Sequence, residues 1–310
     1  MLIDTNKLQK DEQVFLEMQQ LFQSKGYSLY KMRRFEEYSL YLENKKFLNG
    51  ENVITFNDTH GKLMALKPDV TLSIVKNART EDANQKVYYR ESVYRFDPAS
   101  STFKEINQLG LEFIGEISLD DMGTICYLAE QALSVIDNKF VFAISHMGIV
   151  TGIIEAMGIS LENRDDVIKA IKSRNYEQLK EIGIKNGTSE DVLKKIKGIF
   201  DASTEFRDSL KALKEASFNN DIKVAVEELE KVYESISKIS KGNNIRLDFT
   251  IINDIAYYNG IIFQGFVSKL PRAILSGGRY DRLLEKFNKQ KGAMGFALSL
   301  SDLAVYNPNV

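Results

Sequence analysis

The sequence has one cysteine, no tryptophan and two histidines among its 310 residues. The single thiol, Cys126, excludes a disulfide within the chain, and its apolar surroundings predict a buried structural side chain. His60 and His146 are too few for a histidine-rich metal site, and no CxxC, HExxH or GxxxxGKS/T pattern occurs. We therefore expect no bound metal and no cofactor.

Long apolar runs and an excess of positive charge are also missing. Runs such as Ile261–Phe263 are far too short to cross a bilayer, and the first residues contain no apolar signal region. The formal net charge of -2 gives no electrostatic reason to expect nucleic acid. We expect a cytoplasmic protein with no membrane and no tRNA partner.

The composition that remains is that of a globular protein, with 44% hydrophobic and 27% charged residues. Residues 159–241 differ in texture because Lys, Glu, Leu and Ile recur there at helical spacing, which is typical of solvated helix faces. We predict three parts: a first core segment at 1–158, a helical insertion at 159–241 and a second core segment at 242–310.

The stretch Thr102–Gly115 alternates as a strand does. Its predicted faces are an apolar one, with Leu109, Leu111 and Phe113, and a polar one, with Gln108, Gly110 and Glu112. Ordinary solvent-facing polar residues would explain the second face. A glycine offers no side chain to pack, however, so Gly110 suggests a floor where a ligand approaches the backbone closely. An amide and a carboxylate beside it would suit a small cationic or amino-bearing molecule.

Further elements are predicted before this strand. Leu8–Lys25 has the apolar spacing of a packed helix that ends at Gly26, and Tyr27–Met32 and Met64–Lys67 have strand character. Pro68 then precedes a helix that Asp69 begins, with Thr71 exposed near its amino end. A helix cap and a ligand-binding role for Asp69 are equally consistent with this position.

An arginine lies in the middle of the next predicted strand, Lys86–Phe96. The turn-rich residues 97–101 predict that this strand returns into Thr102–Gly115 as an antiparallel hairpin with a long loop. Arg90 would then reach the face that carries Gln108 and Glu112 and could hold an anionic group. A solvated or salt-bridged side chain is the alternative.

The last part of the chain returns to strand character at Ile245–Ile252 and Tyr257–Val267. SGGRYD at residues 276–281 predicts a turn that leads into a helix. The segment GAMGFALSLSDL predicts a strand followed by a short helix.

Five phrases in a fixed order carry a family resemblance. KPDVT, YYR, INQLGLEFIG, AYYNGIIF and SGGRYD, followed by GAMGFALSL, together resemble the catalytic core of histidyl-tRNA synthetase over nearly the whole chain. The resemblance implies an α+β class II aminoacyl-tRNA synthetase-like fold, an antiparallel sheet flanked by helices, that dimerises near residues 27–42. It also implies a histidine pocket built from Asp69, Thr71, Gln108, Glu112, Tyr257 and Tyr258.

The residues with which that family binds ATP and forms the aminoacyl adenylate are changed. Asn253 stands where the synthetases carry an arginine, and Ser301 and Asp302 replace a glutamate and an arginine. Arg90 matches the family's first motif arginine, but Ser92 stands where a glutamate is expected. A neutral side chain and an acid in place of two cations should oppose triphosphate binding. The proline of the dimer strand is also replaced, by the segment Met32–Arg34.

The sequence ends soon after the last core motif, so we expect no anticodon-reading domain. A synthetase core without that domain, with changed activation residues and a retained pocket, is similar to the regulatory subunits of short-form ATP phosphoribosyltransferases. That resemblance implies a non-catalytic partner of a separate catalytic subunit, a homodimer within a hetero-oligomer, and L-histidine as the feedback effector.

Two other functions fit part of this pattern. A free-standing histidine-activating ligase would keep the pocket but would need ATP binding without the two usual arginines. A scaffold with a relict pocket would assemble normally but would not bind histidine.

Overall fold

The computed structural model describes residues 8–44, 48, 52–78, 84–160, 163–238, 244–252 and 257–304. The strands within these ranges form two β-sheets. The larger has eight strands in the spatial order β1-β5-β6-β11-β10-β9-β7-β8, and the smaller has the order β2-β4-β3. The central pairs of the large sheet are antiparallel, whereas the outermost pairs, β1 with β5 and β7 with β8, are parallel. In sequence order the strands are β1 (Ser28–Leu29), β2 (Phe35–Glu37), β3 (Thr55–Asn57), β4 (Leu63–Leu66), β5 (Asn84–Asp97), β6 (Thr102–Gly115), β7 (Phe140–His146), β8 (Ile245–Leu247), β9 (Ile261–Val267), β10 (Leu275–Arg279) and β11 (Gly292–Ser299).

The helices complete the α+β architecture. They are α1 (Lys10–Ser24), α2 (Tyr38–Glu43), α3 (Thr71–Asn77), α4 (Leu119–Ile136), α5 (Met147–Ala156), α6 (Arg164–Lys172), α7 (Tyr176–Lys185), α8 (Glu190–Asp201), α9 (Phe206–Glu215), α10 (Asn220–Ser237), α11 (Asp281–Lys286) and α12 (Leu300–Ala304). None of the helices within the described ranges is long and apolar enough to span a membrane.

The predicted alternation of β6 is confirmed. Leu109, Leu111 and Phe113 lie in the main hydrophobic cluster, at most 1% exposed, together with the buried side chains of α4. Cys126 of α4 is fully buried there, as expected. The opposite face of β6 carries Gln108 and Glu112, which are also shielded from solvent. Both faces of the second half of β6, from Gln108 to Gly115, are therefore covered, and its polar face there lies inside the protein.

The hairpin of β5 and β6 is antiparallel as predicted, but its loop is short. Only residues 98–101 separate the two strands, which pair from Asp97 opposite Thr102 to Asn84 opposite Gly115. Ser101 adopts the left-handed conformation, with φ of 52°, that closes the turn. The short turn fixes the register over the whole length of the hairpin.

The prediction that residues 276–281 form a turn is wrong. Ser276, Gly277 and Gly278 belong to strand β10, and the helix α11 begins only at Asp281. A Cβ atom at Gly277 would lie 2.3 Å from the carbonyl oxygen of Gly295 on the neighbouring strand. The glycine is needed because the two strands approach closely, not because the chain turns.

Helices α6 to α10 occupy most of the segment 159–241. Buried side chains of α10, such as Ala225 and Leu229, join the same hydrophobic cluster as β6 and α4. The loop before α9 also reaches the sheet, because Leu247 of β8 donates its amide to Thr204 at 3.2 Å. The division of the chain into three parts stays a prediction, and its boundary near 239–243 lies outside the described residues.

Candidate functional site

Glu112 lies on the polar face of β6, in the middle of the large sheet, and is only 2% exposed. Gly295 of β11 is directly opposite in the register. A Cβ atom at Gly295 would lie 1.8 Å from Oε2 of Glu112, so a glycine is required to leave room for this carboxyl group. The sheet itself is shaped around Glu112.

Two hydroxyl groups hold the carboxyl group of Glu112. Thr71 at the start of α3 donates to Oε1 at 2.6 Å, and Tyr280 immediately before α11 donates to Oε2. Thr71 is half-buried through this contact rather than exposed as we predicted. The two hydrogen bonds fix the orientation of a side chain that has almost no contact with water.

Burial raises the pKa of Glu112 to about 8. The nearby charge of Asp69 adds to the effect, whereas the hydrogen bonds from Thr71 and Tyr280 lower the pKa. Desolvation is the dominant cause. In the ligand-free protein Glu112 therefore holds a proton at neutral pH, and a cationic or N–H-bearing ligand would favour its release.

Glu112, Thr71 and Tyr280, with the side chains packed around them, form what we call the Glu112 cluster. The side chain of Asp69 caps the first turn of α3 and also faces this cluster. Its Oδ1 accepts from the amide of Leu72 at 2.8 Å, and its Oδ2 lies 3.5 Å from a guanidinium nitrogen of Arg95. Burial raises the pKa of Asp69, while the charge of Arg95 and the backbone amides of Leu72 and Thr71 lower it. The cap predicted from the sequence is present, and a ligand-binding role is compatible with the same geometry.

The expectation that Arg90 reaches the face of Gln108 and Glu112 is wrong. Arg90 pairs with Leu109, so its side chain lies on the opposite face of the sheet. There its guanidinium carbon lies 4.7 Å from the ring centroid of Phe15, and a nitrogen lies 3.9 Å from Asp11. Arg90 packs against α1 and does not line the site.

Arg95 is the arginine on the site face. It lies five residues further along β5 and donates Nε to the carbonyl of Pro68 at 2.9 Å. This contact directs the guanidinium group toward Asp69. Sequence reasoning missed Arg95, although the alternation within β5 would have separated it from Arg90 once the register was known.

Gly110 is not a bare floor, which corrects a second expectation. A Cβ atom there would lie 2.4 Å from the ring of Tyr89 and 2.6 Å from the carbonyl oxygen of Phe296. The phenol ring of Tyr89, which is 1% exposed, fills the space that Gly110 leaves. Tyr89 and Tyr280 are therefore two members of the cluster that sequence reasoning missed.

The two tyrosines predicted for the pocket have different surroundings. Tyr258 packs edge-on against Tyr280, with ring centroids 6.5 Å apart, and burial with the charges of Asp69 and Glu112 raises its pKa. Tyr257 is 1% exposed and lies in a second hydrophobic cluster, separate from the main one, that also contains Ile74, Tyr89 and Leu283. The Lys286 ammonium lies 4.3 Å from the ring centroid of Tyr257. Tyr258 belongs to the Glu112 cluster, and Tyr257 packs beside it.

Gln108 lines an adjoining cavity of about 580 Å³ together with Arg95. Two further cations line that cavity, and each cation pairs with a carboxyl group. The pairs are Arg95 with Asp69, Lys104 with Asp97, and Arg272 with Asp302. Asn253, the other changed activation position, lies outside the described residues. The cavity wall thus offers balanced charge rather than a cationic surface.

The described residues contain no group of three or more histidine, cysteine or acidic side chains placed to hold a metal ion. The chemistry of the site is that of buried carboxyl groups, hydroxyl groups and one arginine.

Comparison with known proteins agrees with this architecture. The family model described as histidyl-tRNA synthetase matches residues 3–303. The chain belongs to the histidyl-tRNA synthetase family. The predicted class II synthetase-like fold is confirmed, with an antiparallel centre and a parallel pair at each end of the sheet.

The chain is 29% identical to an ATP phosphoribosyltransferase regulatory subunit of Alkaliphilus metalliredigens. The alignment covers 90% of this chain and 72% of that protein. A crystal structure described as an ATP phosphoribosyltransferase regulatory subunit/histidyl-tRNA synthetase from Bacillus halodurans has a TM-score of 0.79 at 24% identity. It covers 95% of this chain, which in turn covers 78% of it.

A chain of the ATP phosphoribosyl transferase (HisG:HisZ) complex from Thermotoga maritima has the same fold. It matches with a TM-score of 0.74 at 20% identity, over 94% of this chain and 97% of its own. The likeness to both solved structures is one of fold.

Proposed function

We propose that this chain is a non-catalytic regulatory subunit of ATP phosphoribosyltransferase, acting with a separate catalytic subunit in the first step of histidine biosynthesis. The observation that carries the proposal is the alignment with the Alkaliphilus regulatory subunit along 90% of this chain. The cytoplasmic location expected from the sequence is part of the same proposal.

The charge balance of the cavity favours this function over the histidine-activating ligase. A triphosphate needs uncompensated cations, because its negative charge must be offset where water is displaced. In this chain Asp302 pairs with Arg272 on the cavity wall, and Arg95 pairs with Asp69. Activation of an amino acid by ATP would require these pairs to break.

We propose that the Glu112 cluster binds L-histidine as the effector. Asp69, the more accessible carboxyl group, suits the α-ammonium, and the buried Glu112 accepts from a second nitrogen of the ligand. Thr71 and Gln108 orient the ligand, and Tyr257 and Tyr258 close the pocket. Arg95, rather than Arg90, faces the carboxylate. Preferential binding to one arrangement of the complex would shift its population toward the inhibited state.

Reconstitution with the catalytic subunit tests the function. The mixture is expected to show phosphoribosyltransferase activity above that of the catalytic subunit alone, to elute as one complex, and to lose activity when histidine is added. This chain alone is expected to show no histidine-dependent exchange of pyrophosphate into ATP. Robust exchange would establish the ligase instead, and assembly without histidine binding would establish the scaffold.

The self-association implied by the family resemblance has a candidate surface on the small sheet. Phe35 and Phe56 are 45% and 38% exposed and pack edge-on against each other, 5.5 Å between ring centroids. Such neighbouring exposed rings suit a second copy of this chain. Light scattering on the purified chain reports whether its mass is that of a dimer.

Replacing each of the two arginines of β5 by alanine, one at a time, tests where the carboxylate of the ligand lies. Arg95→Ala is expected to weaken histidine binding by about tenfold or more, since a charge-assisted hydrogen bond is lost. Arg90→Ala, on the opposite face, is expected to leave the affinity unchanged. Calorimetric titration of both variants measures this, and the reverse pattern would contradict the proposed orientation.

A further inference from the structure

Lys289 makes an unusually complete set of contacts with the carboxyl end of α3. Its ammonium donates to the carbonyl oxygens of Val75, Lys76 and Ala78 at 2.5, 2.9 and 2.7 Å. These oxygens lie at the carboxyl end of α3, where a helix runs out of amide partners for its carbonyl groups, and that of Val75 also accepts from the amide of Ala78 at 3.3 Å. An ammonium group has three N–H donors, and here all three are used.

The backbone at the end of α11 presents Lys289 in a defined position. Asn288 adopts the left-handed conformation, with φ of 55°, and the amide of Lys289 donates to Leu284 at 3.0 Å. This is the closing pattern of a helix that ends at a left-handed residue. Lys289 is therefore a fixed extension of α11, and partial burial lowers its pKa.

The two helices that Lys289 joins both have their amino ends next to the side chain of Glu112. Thr71 opens α3 and Tyr280 immediately precedes α11, and each donates its hydroxyl group to a different oxygen of Glu112. Between these ends, Ile74 of α3 and Leu283 of α11 share the second hydrophobic cluster. The amino ends of α3 and α11 are thus joined through Glu112, and Lys289, which follows α11, contacts the carboxyl end of α3.

We propose that Lys289 is a positioning residue that holds α3 against α11 and thereby keeps the hydroxyl groups of Thr71 and Tyr280 on Glu112. The role in ligand affinity rests on the proposed histidine site. The role in orienting Glu112 does not. A lysine that merely satisfied the end of α3 would contribute stability without affecting Glu112, so coupling between Lys289 and Thr71 distinguishes the two roles.

A double-mutant cycle measures this coupling. Lys289 contacts the end of α3 opposite Thr71, about 10 Å away along a seven-residue helix, and changes at that separation normally add. We expect Lys289→Met and Thr71→Val each to weaken histidine binding about tenfold, and the double variant to be about tenfold weaker rather than a hundredfold. Additive losses would overturn the proposal.

The pKa of Glu112, followed by carbon NMR of labelled glutamate, gives a readout that needs no histidine. The hydrogen bond from Thr71 lowers this pKa, so both single variants should raise it and the double variant should raise it no further. An unchanged pKa in Lys289→Met would overturn the proposal even if binding fell. Failure of the wild type to bind histidine, with the pKa coupling intact, would remove only the proposed ligand.

Two further variants separate positioning from general damage. Lys289→Arg retains charged donors for the three carbonyl groups and is expected to restore most of the affinity and the pKa. Lys185→Met removes an exposed lysine from the last turn of α7 and is expected to change neither. A folded Lys289→Arg protein that shows the same loss of affinity and the same change in the pKa of Glu112 as Lys289→Met would count against the positioning role.

Discussion

Histidine affinity is expected to rise nearly tenfold between about pH 6.5 and about pH 7.5, because binding must remove a proton from Glu112. The ligand-free carboxyl group has its pKa raised to about 8 by burial, so most molecules are protonated over that interval. A nitrogen ligand that donates to Glu112 favours the ionised form. Calorimetry in two buffers of different ionisation enthalpy should detect close to one proton released for each histidine bound near neutral pH.

The matched control is Glu112→Gln, which keeps the size of the side chain but cannot ionise. We expect on the order of a hundredfold weaker binding, since the hydrogen bond to a charged acceptor is lost in a buried site. The remaining pH dependence then belongs to histidine itself and to Asp69. A variant that binds as tightly as the wild type, with the same pH profile, would exclude Glu112 from the site.

Glu112 should also make the stability of the folded protein depend on pH, but stability is expected to fall as pH rises, whereas histidine affinity rises. Folded Glu112 keeps its proton up to about pH 8, whereas the unfolded side chain loses it near its ordinary pKa of 4.5. Between these values the folded state binds more protons, so the free energy of unfolding falls as pH rises. Glu112 contributes about 1.4 kcal/mol for each pH unit in this window. Urea unfolding of the wild type and Glu112→Gln at several pH values should show this difference in slope.

The alternation of β6 could be read from the sequence because neighbouring side chains of a strand point to opposite faces. That rule placed Leu109 in the core and Glu112 on the other face without any knowledge of the fold. The register between β6 and its partner strand β5 is harder to predict from the sequence. With the four-residue turn at 98–101, Glu91 lies opposite Gln108 and Arg90 opposite Leu109. A long loop leaves that register open, so the sequence alone does not decide on which face of the sheet Arg90 lies.

The remaining members of the site depend on contacts between distant parts of the chain. Tyr280 donates to Glu112 across 168 positions, and no local pattern indicates such a contact. Gly110 suggested open space because the sequence does not show that Tyr89 fills it. The family resemblance, which draws on several distant phrases at once, places Thr71 and Glu112 in one pocket, which periodicity cannot do, and the hydrogen bond between them comes from the structure.

Removing one member of the Lys67–Glu91 ion pair is expected to cost about 3 to 5 kcal/mol of folding free energy, because the partner charge is left buried. The Lys67 side chain is 1% exposed and pairs with Oε2 of Glu91, whose other oxygen accepts from the amide of Met32 at 3.3 Å. This pair joins the end of β4 in the small sheet to β5 in the large one. Urea unfolding of Lys67→Met and Glu91→Leu measures the loss.

The double variant Lys67→Met/Glu91→Leu decides whether the cost comes from an unpaired charge or from lost attachment of the small sheet. If the unpaired charge dominates, replacing both groups by apolar side chains should recover most of the stability of the wild type. The backbone would still connect the two sheets, since the amide of Tyr94 in β5 donates to the carbonyl of Lys67 at 3.0 Å. A double variant as unstable as the sum of the singles would show that the ion pair itself holds the small sheet, and with it Asp69 and Thr71, against β5.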